Sequence, residues 1–598
     1  MNRFRNMLKH LLKGLAKAIF RFPLTVLSLT SATSLLCYMI SLHESPSLVI
    51  EKLMFTFLVG AILGMFAQFS TERFEKLSKT RPAVYGVTAL LTVGYFMILW
   101  PAPEISQEIG IRTFVAVFAL TCAVLWVPSI KGKADFNKIA LIHFKSVFTS
   151  ALYSGVLSGG IAAIIATVDI LLFHVNNDAY SYMMVIIWVM FATIYYLSLL
   201  PKFNSEESSD IIALHTAKNY PKFLEILVSY IAIPLVTTYT LVLLAYFIKI
   251  LVTLNWPSGQ LGPMVLVYSA AGLLIFVLAS LLENRFAVLY RKIFPKILIP
   301  IVIMQLISVG IRLNAYGVTE SRYYVTIFGI FSIVIGILLS IKPISKNGYI
   351  ALIAAGFAIF SIIPPLDAFT VSRISQINRI EEILQSEGIL ITGELTPKSD
   401  IPEQSKIETT NILSYLDMHS SLKYIKWLPE DFDIYRDMKT TLGFEPAYQE
   451  YDGNNSRYFN ASLDNQEPLI IPNYDILVNI NSFKNMDDKD LPPVKFTLND
   501  LNYELTIDRL SNQEVRVSIL DSAGIELIGT GLYGFTKELQ ENYPMEKGTL
   551  SPDKMTFFIS QNGYKLKIIF QNISITYGTE SDSGVDYSAY VLFGTPDI

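Results

Sequence analysis

The chain has 598 residues, of which 52% are hydrophobic and only 16% are charged, with a mean hydropathy of +0.43. Soluble domains contain about 25% charged residues, so this composition excludes a soluble globular enzyme, and its apolar content excludes a disordered chain. Residues 1–369 carry a net charge of +12 and residues 370–598 a net charge of −16. This division predicts a basic membrane part followed by an acidic soluble part, for which nucleic acid is an unsuitable partner.

Residues 1–21 form a basic amphipathic N-terminal segment. Basic side chains recur every four residues at Arg5, Lys9, Lys13, Lys17 and Arg21. This spacing predicts a helix with one basic stripe, suited to lie on an anionic inner leaflet. The alternative is a positively charged anchor for the first membrane span.

Residues 22–364 contain eleven runs that approach the roughly 20 apolar residues required to span a membrane. They lie near 22–42, 53–70, 83–100, 112–130, 146–173, 180–200, 223–248, 263–282, 295–311, 323–341 and 348–364. The ninth and the eleventh are short, and none shows the alternation of a β-barrel strand. The sequence therefore predicts a polytopic α-helical membrane bundle of about 11 transmembrane helices.

The loops between these runs predict the orientation of the bundle. With the N-terminus inside, the inner segments hold 23 lysines and arginines and the outer segments hold 5. Positive residues are retained on the cytoplasmic side, so the N-terminus is expected inside and the C-terminal domain outside. The side of that domain depends on the odd number of spans, since one miscounted run would move it to the cytoplasm.

Asp169 is the one acidic residue well inside a long apolar run. Ionisable groups are costly in lipid, so Asp169 is a candidate to face a cavity, pair with an arginine, or bind a cation or proton. Alternatively, it marks the point where the helix leaves the bilayer. Two G-x-x-x-G patterns, at 60–64 and 155–159, predict close helix packing inside the bundle, with a dimer face as the alternative.

The densest group of polar residues lies between the ninth and tenth runs. It includes Arg312, Tyr316, Glu320 and Arg322, with Thr319 placed to cap the next helix. Two arginines and one glutamate are suited to bind a phosphate or carboxylate through bidentate contacts. The alternative is a capped turn with a local ion pair.

Residues 365–394 are predicted to connect the two parts of the chain. Prolines end the eleventh run, and Asp367 or Thr370 can cap a helix that continues to about residue 384. Asp367 and Arg373 would then lie at the membrane surface near the polar loop, as further candidate ligand-binding residues.

These segments carry a resemblance to a known family. The residues at 316–323, 365–367 and 372–376, together with Arg-Phe-Pro at 21–23, resemble the bacterial multispanning membrane family catalogued as domain of unknown function 4153. The resemblance extends over essentially the whole chain. It implies an integral membrane protein of bacteria and no established activity, and we expect this membrane to be the bacterial cytoplasmic (inner) membrane.

Residues 395–598 are predicted to form an extracytoplasmic α+β domain, mainly of antiparallel β structure. A helix is expected at 406–426 and a short one at 535–542. Eight strands are expected, near 474–482, 494–498, 501–508, 514–520, 524–529, 555–560, 564–576 and 587–593. Asn562-Gly563 is a strong hairpin signal between two of them.

The sequence contains none of the H-E-x-x-H, phosphate-loop or G-x-S-x-G patterns, its six histidines are scattered, and it has two cysteines. We therefore expect no cofactor and no metal site. The favoured function is a non-enzymatic envelope protein presenting an outer binding or scaffold domain. The alternatives are a transporter or channel for a small polar or anionic solute, and a membrane enzyme acting on a lipid-linked substrate. The expected partners are the lipid bilayer and an envelope protein or lipid-linked ligand.

Overall fold

The structure is a computed structural model, and it contains two compact units, residues 1–448 and 449–598. The described residues are 2–43, 46–132, 134–253, 261–429, 431–448, 457–464, 467–483, 492–512, 514–542, 548–577 and 584–596. The boundary between these units follows residue 448. The predicted domain boundary at 394/395 therefore falls inside the first unit, because helices beyond residue 394 pack with the helix that precedes it.

The first unit is almost entirely helical. Its first ten helices are α1 (Asn2–Arg21), α2 (Pro23–Leu42), α3 (Leu48–Arg73), α4 (Glu75–Lys79), α5 (Arg81–Leu99), α6 (Gln107–Trp126), α7 (Phe136–Leu171), α8 (Asp178–Val185), α9 (Ala192–Leu199) and α10 (Ser208–Ala217). They are followed by α11 (Lys222–Ile226), α12 (Ile233–Thr253), α13 (Leu261–Ala279), α14 (Arg285–Tyr316), α15 (Glu320–Ile341), α16 (Gly348–Phe360), α17 (Ala368–Ser386), α18 (Glu403–Met418) and α19 (Ile434–Leu442). Single π-helical turns join α8 to α9 and α11 to α12.

Ten helices in the described part of the chain are long and apolar enough to cross a membrane. They correspond to the first ten predicted runs, so the polytopic α-helical bundle is confirmed. The eleventh run forms a shorter apolar helix over residues 344–360. The 13 residues of α16 extend about 20 Å, which is less than the roughly 30 Å thickness of a bilayer core.

The segment from Gly348 to Asp367, which contains α16 and the turn after it, nevertheless runs from one end of the bundle to the other. At its start, Gly348 lies against Trp126, the last residue of α6. At its end, Asp367 contacts Arg112 in the first turns of α6. The segment therefore connects the end of the bundle near Arg21, which we call the Arg21 end, with the opposite one, which we call the Asp367 end.

Polar contacts at the Arg21 end show which helix termini meet there. The Arg21 guanidinium forms two parallel bonds to the Glu72 carboxylate, of 2.7 and 2.8 Å, and donates to the backbone carbonyl of Pro201 at 3.1 Å. The end of α3 and the residues after α9 are thus held beside the end of α1. This bidentate geometry is the strong form of an arginine–carboxylate pair.

The two G-x-x-x-G patterns have different surroundings. A Cβ on Gly60 would approach Thr92 to 2.8 Å, and one on Gly64 would approach Thr25 to 2.6 Å, so α3 packs closely on α2 and α5. The predicted close packing is confirmed for this pair. Gly155 and Gly159 have no atom within 4 Å of a Cβ position among the described residues.

Helices α17–α19 form a helical layer with its own apolar core, which includes Ile380, Leu413 and Met438. A two-stranded ribbon, β1 (Leu390–Ile391) and β2 (Glu394–Leu395), follows α17. The predicted helix at 406–426 is observed as α18, which ends at residue 418 because the chain turns at Ser420 with a φ of 50°.

Among its described residues, the second unit contains one helix and two β-sheets. The strands are β3 (Arg457–Leu463), β4 (Ile476–Ser482), β5 (Val494–Leu498), β6 (Leu501–Arg509), β7 (Val515–Asp521), β8 (Glu526–Gly531), β9 (Gly548–Leu550), β10 (Thr556–Gln561), β11 (Tyr564–Tyr577) and β12 (Gly584–Gly594), with α20 (Tyr533–Asn542) between β8 and β9. One sheet has the order β4-β12-β11-β3-β9, with β10 also paired to β11, and the other has the order β5-β6-β7-β8.

The two sheets contribute to one apolar core, which includes Leu505, Val517, Ile568 and Val591. Every described strand pair in this unit is antiparallel except β3 with β9, so the predicted, mainly antiparallel α+β domain is confirmed. The hairpin signal at 562–563 is also confirmed. Gln561 pairs with Tyr564, and both turn residues have positive φ, of 52° and 82°, as a type I′ turn requires.

Candidate functional site

The polar loop between α14 and α15 is bound to the connector helix α17. Gly317 has a φ of 68° and a ψ of −179°, a conformation that is essentially confined to glycine. The Gln376 side chain donates to the carbonyls of Tyr316 and Val318, at 3.0 and 2.8 Å. The backbone N–H of Val318 donates to the Ser375 hydroxyl at 2.9 Å. The loop is therefore locked to α17 by three hydrogen bonds.

Arg322 also binds the backbone of this loop. Its guanidinium donates to the carbonyls of Tyr316 and Gly317, at 3.2 and 2.8 Å, and lies 5.6 Å from the centre of the Tyr316 ring. Arg379 of α17 lies 5.8 Å from the same ring and forms a 2.5 Å ion pair with Glu408 of α18. Tyr316 thus lies between two guanidinium groups, a favourable cation–π arrangement.

Glu320, in the first turn of α15, is only 9% exposed and is bound by two side chains of α18. The Tyr415 hydroxyl donates to Glu320 Oε2, and His419 Nε2 lies 3.6 Å from the same oxygen. His419 Nδ1 is 2.8 Å from the carbonyl of Tyr415, a hydrogen bond that orients the ring. Burial and the neighbouring carboxylate raise the pKa of Tyr415, which keeps the hydroxyl protonated and able to donate.

Asp367 is fully buried at the N-terminus of α17, where its Oδ1 accepts from the backbone N–H groups of Phe369 and Thr370. Arg112 of α6 donates to the same oxygen at 2.8 Å and also pairs with Glu108 at 2.6 Å. Burial raises the pKa of Asp367, but the Thr370 hydrogen bonds and the Arg112 charge outweigh it, so the pKa lies below its ordinary value. This confirms Asp367 as the helix cap.

The Tyr323 hydroxyl donates a hydrogen bond to the carbonyl of Leu366, at a distance of 2.5 Å. We call this whole arrangement the junction, defined as residues 316–323 and 366–379 together with Arg112, Tyr415 and His419. The junction ties the starts of α6 and α15 to α17 and α18. Most polar atoms of the junction bind one another, so the junction holds these helices together.

The predicted site residues lie in three places, which are the junction, the end of α7 and the last turns of α14. Tyr316, Glu320, Arg322, Asp367 and Arg373 belong to the junction. The Arg373 guanidinium lies over the Tyr424 ring, at 4.0 Å from its centre. The predicted local ion pair of Glu320 with an arginine is not formed, because Tyr415 and His419 take up the Glu320 carboxylate. The ligand-binding roles of the predicted site residues stay predictions.

Thr319 occupies the predicted cap position of α15, but its hydroxyl makes no capping hydrogen bond. It lies 3.3 Å from the Ser321 hydroxyl instead. The predicted side-chain cap is therefore wrong, although Thr319 is the residue that precedes the first turn of α15.

Asp169 lies near the C-terminal end of α7 and is about one third exposed. Its Oδ1 accepts from the backbone N–H of Val175 at 2.7 Å and lies 3.0 Å from His174 Nδ1. These contacts bind the loop that follows the helix. The arrangement matches the alternative interpretation, in which Asp169 marks the point where the helix ends.

Arg312 lies apart from the junction hydrogen bonds, on the last turns of α14. It lines a cavity together with Arg322 and Ser308. A groove of about 540 Å³ is formed mainly by apolar residues of α3, α5, α6 and α16, and none of the residues that line it is charged. Within the described ranges, no group of three or more histidines, cysteines and acidic residues is placed to hold a metal ion.

The sequence alone did not predict the roles of several junction residues. Arg112 is separated from Asp367 by 255 positions, and Tyr415 from Glu320 by 95. No local pattern connects such residues, because each belongs to a helix whose own periodicity explains it. Ser375 and Gln376 lie within the segment 372–376, which is one of those that carry the family resemblance.

Comparison with known protein families matches residues 30–391 to a family described as domain of unknown function (DUF4153). The matched region includes nine of the ten described membrane-length helices in full, part of α2, the polar loop and the whole of α17. No curated protein and no solved structure matches the chain.

Proposed function

The chain belongs to the family described as domain of unknown function (DUF4153), and we propose that it is a non-enzymatic envelope protein. Its bundle spans the bacterial cytoplasmic membrane with the N-terminus inside. The residues beyond α16 lie outside the membrane, where the β-rich unit binds another envelope protein or a lipid-linked ligand. The protein is thus a multi-pass membrane scaffold for an outer binding domain.

The junction is the observation that carries this proposal. A transporter would use its polar residues along a path through the bundle, whereas the polar contacts of Arg21 and of the junction lie at the two ends of the bundle and bind helices to one another. Glu320 and Asp367 are both buried, and each has one carboxylate oxygen bound by a side chain from another helix. Fixing α17 and α18 in this way suits a scaffold that must hold an outer domain.

The orientation rests on charge and on the path of the chain. The segments at the Arg21 end carry most of the lysines and arginines of the bundle, which is the pattern of a cytoplasmic face. Because the segment from Gly348 to Asp367 crosses to the Asp367 end, α17 starts on the side opposite to Arg21. The helical layer α17–α19 is therefore extracytoplasmic in this proposal.

Cysteine accessibility tests the orientation. Cys37 and Cys122 are first replaced by serine, and single cysteines are introduced as Met418→Cys and Lys79→Cys, both at exposed side chains. A membrane-impermeant maleimide should label M418C in intact spheroplasts and label K79C only after permeabilisation. Labelling of K79C alone in intact spheroplasts would contradict the proposed orientation.

In-cell crosslinking tests the binding role. A photoreactive amino acid is placed at Phe558, an exposed aromatic residue of β10, and at Asp553, an exposed polar position nearby, as the matched control. We expect a discrete crosslinked product from position 558 that is absent or weaker from position 553. Equal and diffuse crosslinking from both positions would contradict a specific partner of this surface.

A further inference from the structure

A small cavity lies at the Asp367 end of the bundle, between the start of α13, the last turns of α14 and the first turns of α15. Its volume is about 190 Å³. We call it the arginine cavity. The residues that line it include Gly262, Ser308, Arg312, Ser321, Arg322 and Val325. The Gln305 side chain donates to the carbonyl of Gly262 at 3.1 Å, which fixes the α13 wall against α14.

The arginine cavity carries two positive charges that the described residues do not neutralise. Arg312 has neither an ion pair nor a hydrogen bond within the described part of the chain, and Arg322 donates only to neutral backbone carbonyls. Arg379 is paired with Glu408. Two neighbouring guanidinium groups repel each other, so an anion between them would be stabilised by both.

Hydroxyl groups supply the remaining donors. Ser308 is 5% exposed, lines the cavity, and makes no hydrogen bond within the described residues. Because Ser308 is otherwise buried and lines the cavity, its hydroxyl is available to donate to a ligand atom there. Ser321 lies in the first turn of α15, where the free N–H groups of a helix also favour negative charge.

The depth of the cavity points to the source of the anion. Arg312 follows Lys296 by 16 residues on α14, or about 24 Å along the helix axis. The apolar stretch between these two cations is therefore nearly as long as a bilayer core is thick. This length places Arg312 at the level of the lipid headgroups. Val309 and Val325 form the apolar part of the lining.

We propose that the arginine cavity binds the phosphate group of an anionic phospholipid, with Arg312 as the principal contact. Arg312 and Arg322 bind the phosphate oxygens, and Ser308 and Ser321 donate to them. The lipid tails remain against the apolar outer surface of α14 and α15. A free phosphate ion has the same chemistry, so the experiment compares the two sources.

The test uses the full-length protein, delipidated in detergent and titrated with short-chain phosphatidylglycerol, short-chain phosphatidylcholine or inorganic phosphate. Retained ligand is counted by native mass spectrometry. We expect Arg312→Gln to weaken binding of phosphatidylglycerol about tenfold, the effect of losing one hydrogen-bonded charge. Arg285→Gln, which removes the same charge from the exposed start of α14, is the matched control and should bind as the wild type does.

Two further variants separate binding from folding. Arg312→Lys keeps the charge but loses the bidentate contact, so it should bind more tightly than Arg312→Gln and less tightly than the wild type. Ser308→Ala should weaken binding in a protein of unchanged thermal stability. Unchanged binding by Arg312→Gln, or equal loss in Arg285→Gln, would overturn the site. Tight binding of inorganic phosphate together with no preference for phosphatidylglycerol over phosphatidylcholine would overturn the lipid as its source.

Discussion

Substitution of Gly317 by alanine should open the junction. At a φ of 68° and a ψ of −179°, a residue with a Cβ is strained by about 1–3 kcal/mol. The new Cβ would lie 2.8 Å from Gln376 Nε2 and 3.1 Å from the Ser375 hydroxyl oxygen. Displacing Gln376 breaks two hydrogen bonds worth about 0.5–1.5 kcal/mol each. The local cost of Gly317→Ala is therefore about 2–6 kcal/mol.

Hydrogen exchange measures this local cost directly, because the junction can open without unfolding of the bundle. The full-length protein is followed by mass spectrometry, and peptides that cover residues 313–322 and 372–380 are compared between variant and wild type. A cost of about 2–6 kcal/mol raises the population of the open state by at least about 30-fold. Peptides from α3 and α13, which lie outside the junction, should keep their protection.

Gly388→Ala is the matched control. Gly388 also has a positive φ, of 71°, but no described atom lies within 4 Å of its Cβ position. It should show only the backbone cost, about 1–2 kcal/mol, and only near residue 388. Wild-type protection of residues 313–322 in Gly317→Ala would refute the claim that this turn locks α17 to the bundle.

Three further predictions concern single side chains. Asp367 has a pKa below its ordinary value of 3.8, so its carboxylate stabilises the fold above about pH 4 and this contribution is lost as the pH falls through the folded value. Asp367→Asn should therefore lower the thermal midpoint at pH 7 and reduce its decline between pH 5 and pH 3, as scanning fluorimetry would show. Tyr415→Phe removes the hydroxyl that binds Glu320 and should destabilise α18 by about 1–3 kcal/mol, measured as faster exchange in that helix, whereas Phe at the exposed Tyr435 should have no such effect. Asp169→Asn keeps an acceptor for the loop after α7, so it should change the thermal midpoint by less than about 3 °C; a larger loss would show that the charge itself matters.

The membrane-length helices were predictable because their signal is local. Each run of about 20 apolar residues must satisfy its own backbone hydrogen bonds in lipid, and a helix is the structure that does so within one segment. The eleventh run was harder to place, since α16 has only 13 residues. Its passage between the ends of the bundle became visible only from its contacts at Gly348 and Asp367.

The hairpin at 562–563 was predictable for a similar reason. A type I′ turn needs two residues with positive φ, and asparagine followed by glycine supplies them at low cost. By contrast, the three-residue strand β9 has no pattern of its own. It exists because β3 offers a free edge to which residues 548–550 pair in parallel.

The amino-acid sequence alone predicted the membrane bundle, the mainly antiparallel C-terminal part, a helix cap at Asp367 or Thr370 and the polar loop at 316–322, because each depends on residues close together in the chain. Only the tertiary structure decided that Glu320 binds Tyr415, that Arg112 binds Asp367, and that Arg312 stays without an acidic partner among the described residues. The physical reason is that a side chain's partner depends on which helices pack together. That choice is made by shape and burial along whole helices, which local spacing does not record.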